Sequence, residues 1–323
     1  QVISDFKRLQ SLKRLSWSAK LSFAPSDNVN SGTDDTQLTI EGVPTVGILD
    51  SSSRPLSGFV SKADLRFSYK LKETQSALWQ AKARLFHREV WLSSNAKSIA
   101  PTIEFGDLSS ATYELGVERL WRSQARENAN VNRLSLTFGR NFSGRSNHSD
   151  TATLAYSNTR RLSKASQLTF GGHIRKIAYN STPALSATQL ELRGAYAQQF
   201  NNDNYLQAGL VMGQTESRRG NTSNKSLTAY LTYGLGQQLG PAKVDFTLGA
   251  RLTDYPRYYI GFISSPNGRE DLSYFGAINF KLVDFERAGF VPTAGIQYNA
   301  TSSNISRFTF DGASISLGFS SSF

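Results

Sequence analysis

The sequence predicts an all-β fold, a transmembrane antiparallel up-and-down β-barrel of about 14 strands, and three observations carry that prediction. Apolar residues recur at every second position in run after run, the period of a strand with one apolar face. The runs approach the ~9–11 residues that a tilted strand needs to cross a bilayer. The links between them alternate in length, as the two ends of an up-and-down barrel do.

The elements follow in order. The first run sets Leu15, Trp17, Ala19, Leu21 and Phe23 against Ser16, Ser18, Lys20 and Ser22. The second has Phe59, Ala63, Leu65, Phe67, Tyr69 and Leu71 on one face, and Lys62, Asp64, Arg66, Ser68 and Lys70 on the other. Trp79, Ala81, Ala83 and Leu85 make a third, and Tyr113, Leu115 and Val117 a fourth. The same alternation returns at 134–138, 152–156, 168–174, 190–196, 206–212, 227–235, 244–252, 272–280, 290–298 and 313–319. Long links are expected at 25–58 and 93–109, and short ones at 72–76, 123–130, 161–165, 201–204, 239–243 and 283–289. Between the later short links stand "GRSNHSD", "YNSTPALS", "ESRRGNTSNK", "YPRYYIGFISSPNGRE" and "TSSNISRFTF", read as the longer loops. With both termini in the periplasm, those loops fall outside. Ahead of the barrel, assigned to 14–323, residues 1–13 carry Phe6, Leu9 and Leu12 at helical spacing and read as a periplasmic segment or plug.

A soluble β-sandwich alternates too. What favours the barrel is that nearly every run is long and charged on one face only. Aromatics also fall toward run ends, at Trp17, Trp79, Tyr156, Tyr233 and Tyr298, a placement that fits an interfacial girdle and equally ordinary packing.

The chain has 323 residues, a formal net charge of +11 and no cysteine, which excludes disulfides, thiolate metal sites and thiol catalysis. Its basicity points to an anionic neighbour such as lipopolysaccharide or an acidic substrate; nucleic acid is not expected as a partner. Mean hydropathy is −0.37, and no apolar run approaches the ~20 residues of a spanning helix. Alternating strands hide an apolar band in such an average.

Enzymatic chemistry finds little support. His87, His148 and His173 are far apart and lack the H-E-x-x-H spacing; His87 near a strand end and His148 in a loop read as surface residues. There is no G-x-S-x-G, and no helix follows "GLGQQLG" (234–240) to make it a phosphate cradle. The sequence thus predicts no catalytic residue, cofactor or metal. Its informative face is the inward one. Lys20, Lys62, Arg66, Lys70, Lys82, Arg84, Arg88, Arg133, Arg175, Arg193, Lys243 and Arg251 fall there, against Asp64, Glu114, Glu118, Glu191 and Asp245. Such a lumen either concentrates anionic solutes or pairs its charges across strands.

Two stretches, "LSWSAKLSFAPSDNVNSGT" and "GFVPTAGIQYNATSSNISRFTFDGASISLGFSSSF", together resemble the C-terminal barrel domain of the surface lipoprotein assembly modifier (Slam) family. "REDLSYFGAINFK" also suits it. The resemblance implies a fourteen-stranded barrel of the Gram-negative outer membrane, among lipids and lipopolysaccharide, that moves surface lipoproteins or related secreted proteins from periplasm to cell surface. The substrate would engage the lumen or a seam between the first and last strands, at Trp17, Leu21 and Phe23 and at Ile315, Leu317 and Phe319. The terminal Phe323 looks like the signal read by the outer-membrane assembly machinery. Family members usually carry a tetratricopeptide-repeat region before the barrel, where this sequence shows only the short helical segment. The competing readings are an export barrel for an anionic polysaccharide and a diffusion porin. The porin would fold the 25–58 loop inward with a constriction drawn from Asp27, Asp34, Asp35, Glu41 and Arg54.

Overall fold

The structure, a computed structural model, describes residues 13–123 and 130–322. The expected helical segment at 1–13 falls almost entirely outside the described residues, as does Phe323.

Strand β1 (Leu15–Ser26) is followed by a small hairpin of β2 (Gln37–Ile40) and β3 (Val43–Ile48), and then by β4 (Gly58–Glu73) and β5 (Ala77–Leu92). A short helix, α1 (Ser94–Ile99), precedes β6 (Ser110–Arg122), β7 (Val131–Ser143), β8 (Ser146–Arg161), β9 (Ser166–Tyr179), β10 (Ala187–Gln199) and β11 (Tyr205–Ser217). Then come β12 (Asn224–Gly234), β13 (Ala242–Tyr255), a second small hairpin of β14 (Tyr259–Ile260) and β15 (Ile263–Ser264), and β16 (Arg269–Leu282), β17 (Phe290–Ser303) and β18 (Phe310–Ser322). All but the two small hairpins pair into one closed barrel, each strand antiparallel to its neighbours and β18 returning to β1. The fourteen strands are those the alternation predicts.

Register shows which way the alternation faces. Phe67 pairs with Trp17 and Ala83, Leu115 with Ala83 and Phe138, and Phe138 with Ala152, so these side chains share one surface. That surface is the outside: Leu115 is 67% exposed, Phe138 58%, Leu248 66% and Leu317 64%. A closed barrel that shows water its leucines and turns lysines inward inverts the pattern of a soluble protein. The fold is therefore a transmembrane barrel, whose outer band is solvated by hydrocarbon. Aromatic rings edge the band at both ends. Phe23, Phe59 and Trp91 stack side by side at one rim, with centroids 6.2 and 6.0 Å apart. Trp17 meets Phe290 at 6.5 Å and Trp121 meets Tyr156 at 6.4 Å near the other.

The rim reached by the end of β1, here the loop rim, carries the links 27–57, 93–109 and 256–268. The opposite, turn rim has links such as 74–76, 162–165 and 200–204. The alternation of link lengths is looser than the sequence suggests. "GRSNHSD" is no long loop: Gly144 and Arg145 alone connect β7 to β8, with Gly144 at φ +59°. His148, expected in a loop, lies in β8 with its ring edge-on to Tyr179 at 5.0 Å. Here a glycine in the left-handed region lets both strands run past the rim, and the polar residues that read as a loop pair there instead.

The buried apolar core sits within the mouth at the loop rim. Inward-facing Val60 and Val90 meet Val29 and Leu56 from the 27–57 link and Ala96 and Ala100 from around α1. Each fully buried valine or leucine there contributes roughly 1.5–3 kcal/mol, which holds two long loops over the mouth.

Candidate functional site

The lumen wall is built from the alternate residues of all fourteen strands, and pairing register places each predicted side chain. Lys20 pairs with Asp64, Lys62 with Arg88, Arg66 with Arg84, Lys82 with Ser68 and Gly116, and Lys70 with Gln80, all on the inward face. Arg133 on β7 shares that face, as do Arg193, Lys243 and Arg251 on the other side of the barrel.

The two sides differ in charge balance. On β4 to β7 the cations are paired. Arg84 Nε and Arg66 Nη2 donate to the Asp64 carboxylate at 3.0 and 2.8 Å, and Arg84 Nη1 reaches Glu114 at 3.4 Å. Glu118, whose side chain is 3% exposed, accepts from Gln80 at 2.6 Å and Lys82 at 3.1 Å and faces Arg133 at 3.7 Å. Across the lumen, Arg175 donates to the Thr153 hydroxyl at 3.0 Å. Neither it nor Arg193, Lys243 or Arg251 has a carboxylate within 4.0 Å among the described residues. Lys20 and Lys62 also lack one. Cross-strand pairing therefore accounts for one wall and leaves the other basic.

Three of these arginines stand in a regular order. Arg133 on β7 pairs with Ser157, Ser157 with Gly171, and Gly171 with Arg193 on β10. The same row continues through Val211 and Thr228 to Arg251 on β13. One arginine thus appears every third strand, roughly 15 Å apart at ordinary strand spacing. Because the strands tilt, the row climbs from the turn rim at Arg133 to the loop rim at Arg251. Sequence alone cannot show this order, since it depends on register between segments far apart in the chain.

Flat rings keep this wall open. The Tyr230 ring lies over Gly209 and the Phe275 ring over Gly249, so close that a Cβ at either glycine would overlap the ring. Gly209 pairs with Tyr230 and Gly249 with Phe275 across adjacent strands, and each ring lies along the wall instead of across the lumen.

The mouth is narrowed by the 27–57 link. Arg88, inward on β5, donates Nη2 to the Val29 carbonyl at 2.8 Å and Nη1 to the Leu108 carbonyl at 2.6 Å, clamping both long loops. Asn28 donates to the Gly32 carbonyl at 2.8 Å and to the Asp311 carbonyl of β18 at 3.1 Å. A cavity of about 450 Å³ remains between this link and the far wall, lined in part by Asn28, Ser31, Arg251, Phe275 and Asn299. Among the described residues of this loop, Asp35 accepts from the Thr33 hydroxyl at 3.4 Å, Arg54 offers its carbonyl to Asn30 at 2.8 Å, and no carboxylate of the loop lies within 4.0 Å of the Arg54 guanidinium. The β2–β3 hairpin rests on the nearby 304–309 link between β17 and β18, where Ile40 bridges Ile305 and both are buried.

The predicted seam residues come together on the outer face. Leu21 pairs with Phe319 and Phe23 with Leu317, Trp17 lies at the turn-rim end of β1, and Ile315 follows Leu317 on the same face. The ladder between β1 and β18 runs from Ser18 to Phe23 and resumes only at Ser26, so Ala24 and Pro25 have no partner in β18. The β1–β4 ladder is continuous from Leu15 to Ser26. Pro25 lacks an N–H to donate, which confines it to a strand edge or an interrupted ladder.

No family model and no curated relative matches the chain. Solved structures of similar architecture include OccAB3 of Acinetobacter baumannii, at 6% identity and TM-score 0.46 over 96% of this chain and 98% of that one. An outer membrane channel from Pseudomonas putida F1 is 13% identical, with TM-score 0.44 over 97% of each chain. An anion-selective porin from Comamonas acidovorans is 10% identical, with TM-score 0.43 over 96% of this chain and 98% of that one. At these values the likenesses carry no argument about function, and the fourteen-strand closure rests on this chain's own pairing.

Proposed function

We propose that the chain is an outer-membrane translocon that passes surface lipoproteins or related secreted proteins from the periplasm, with both termini on the periplasmic side and the long loops outside. The observation that supports this reading most is the interrupted ladder between β1 and β18 at Ala24 and Pro25. A barrel built only to conduct solutes gains nothing from a weak closure. One that admits a substrate between its first and last strands needs fewer hydrogen bonds to break there. The two sequence stretches that resemble the Slam family, 15–33 and 289–323, are hydrogen-bonded neighbours at this closure, with Asn28 bonded to the Asp311 carbonyl.

A second reading, passage of anionic solutes, is favoured by the row that starts at Arg133 beside Glu118 and runs on to Arg193 and Arg251 on the under-compensated wall. Reconstitution separates the two. Proteoliposomes containing the purified chain and a candidate lipoprotein on the turn-rim side should render that lipoprotein accessible to external protease. Steady anion conductance with no protein transfer for any surface lipoprotein of the same cell would support the second reading and overturn the first.

A further inference from the structure

The outer surface holds a feature that neither reading uses. On the lipid-facing side of β7 to β11, next to the loop rim, a trough of about 760 Å³ is lined by Phe138, Ala152, Lys176, Ala178, Thr188 and Arg218, among others. Register explains its shape. One outward row runs Phe138, Ala152, Lys176, Thr188, Glu216, and the row above it sets Arg140 against Asp150 and Asp150 against Ala178. The small side chains of Ala152 and Thr188 on either side of Lys176, and of Ala178 above it, leave the hollow, with Lys176 reaching over it. Directly below it, Leu136, Leu154, Ile174 and Leu190 belong to the exposed apolar band.

The charges around the hollow are unequal. Asp150 is engaged by Arg140 Nε at 2.7 Å and Nη2 at 3.2 Å, and Glu216 accepts from Gln214 at 2.8 Å. Asp150 is thus neutralised by a guanidinium, while Glu216 has one amide hydrogen bond and keeps its charge at the β11 side of the trough. Lys176 and Arg218 are exposed and have no carboxylate within 4.0 Å among the described residues. They lie on β9 and just past β11, their Cα atoms roughly 12 Å apart across two strand spacings and two residues of rise, with Thr188 on the intervening strand. Two free cations above an apolar slope at the edge of a membrane band match one chemistry, a phosphate headgroup with acyl chains below it.

We propose that this trough binds a phosphorylated lipid of the surrounding leaflet, with the phosphate between Lys176 and Arg218 and the acyl chains lying along Leu154, Ile174 and Leu190. The site requires only that the barrel span a membrane, so it stands whether the lumen passes proteins or solutes.

Native mass spectrometry of the intact chain in detergent tests it, with a bisphosphorylated acyl glycolipid, its dephosphorylated form and inorganic phosphate as probes. The wild-type barrel should retain one phosphorylated lipid. The double variant Lys176→Gln/Arg218→Gln should lose about tenfold in affinity, and Ala178→Trp, which fills the trough and leaves both charges, should lose at least as much. Lys97→Gln on α1 serves as a control that should bind as the wild type does. Folding of each variant is confirmed by its heat-modifiable mobility. Equal retention of the dephosphorylated lipid, unchanged binding in the double variant or in Ala178→Trp, or full competition by inorganic phosphate alone would each overturn the proposal.

Discussion

Glu118 is the residue on which the paired wall depends. Its carboxylate is nearly inaccessible and serves Gln80, Lys82 and Arg133 together. Glutamine in its place would keep one acceptor oxygen but turn an N–H₂ donor toward Lys82 and Arg133 and leave both without a counter-charge. Glu118→Gln should therefore lower stability by about 1–3 kcal/mol, the scale for a buried polar group left mispaired, as read by urea unfolding in lipid vesicles. A value within 0.5 kcal/mol would show that water already screens the cluster. Gly249 makes a steric case at the same scale. Gly249→Val would drive the Phe275 ring off the wall and into the lumen, costing about 1–3 kcal/mol by overpacking and reducing conductance. Charge type and inward placement were legible in the sequence for Arg133, Arg193 and Arg251, because alternation fixes the face of every strand residue. Their common row was not legible, because it is set by pairings between strands that sequence leaves unaligned.

At the scale of elements, the outer faces make a prediction that separates a membrane barrel from a soluble one. Leu248 is exposed, and in water an exposed leucine tolerates arginine within about 0.5 kcal/mol. In a bilayer, Leu248→Arg should cost about 2–4 kcal/mol near the midplane, while inward Thr137→Arg should cost far less. Refolding equilibria into lipid vesicles measure both. The loops give a second test. Arg88 holds the 27–57 and 93–109 links through two carbonyls, so Arg88→Ala should raise cleavage within 27–57 by added protease severalfold without unfolding the barrel. The sequence marked these links as long and polar but missed what they build. Alternation in "TQLTI" and "VPTVGIL", joined by Glu41 and Gly42 with Gly42 at φ +79°, was a readable hairpin signal. The short α1, capped by the Ser93 hydroxyl accepting from Ala96 N at 3.1 Å, offered too few residues for periodicity to register.

At the scale of the whole molecule, the barrel is closed but not uniformly closed. Every neighbouring pair is antiparallel, and the pair that joins the chain's two ends loses its ladder at Ala24 and Pro25. The period of two made the strand count and the outward face readable from sequence alone. The strength of closure depends on which residues of β18 face β1, and only the folded barrel supplies that. The chain has no cysteine, so paired cysteines can be introduced without competing thiols. Lys20 and Ser320 are register partners across the closure, and Thr159 and Thr169 are partners across the β8–β9 hairpin, which has no such break. The most direct measurement is transfer of a surface lipoprotein through proteoliposomes bearing Lys20→Cys/Ser320→Cys, oxidised and reduced, beside Thr159→Cys/Thr169→Cys. An opening seam predicts that oxidation of the first pair abolishes transfer, that reductant restores it, and that the second pair has no effect. Transfer at the unmodified rate through a barrel stapled at Lys20 and Ser320 would contradict it.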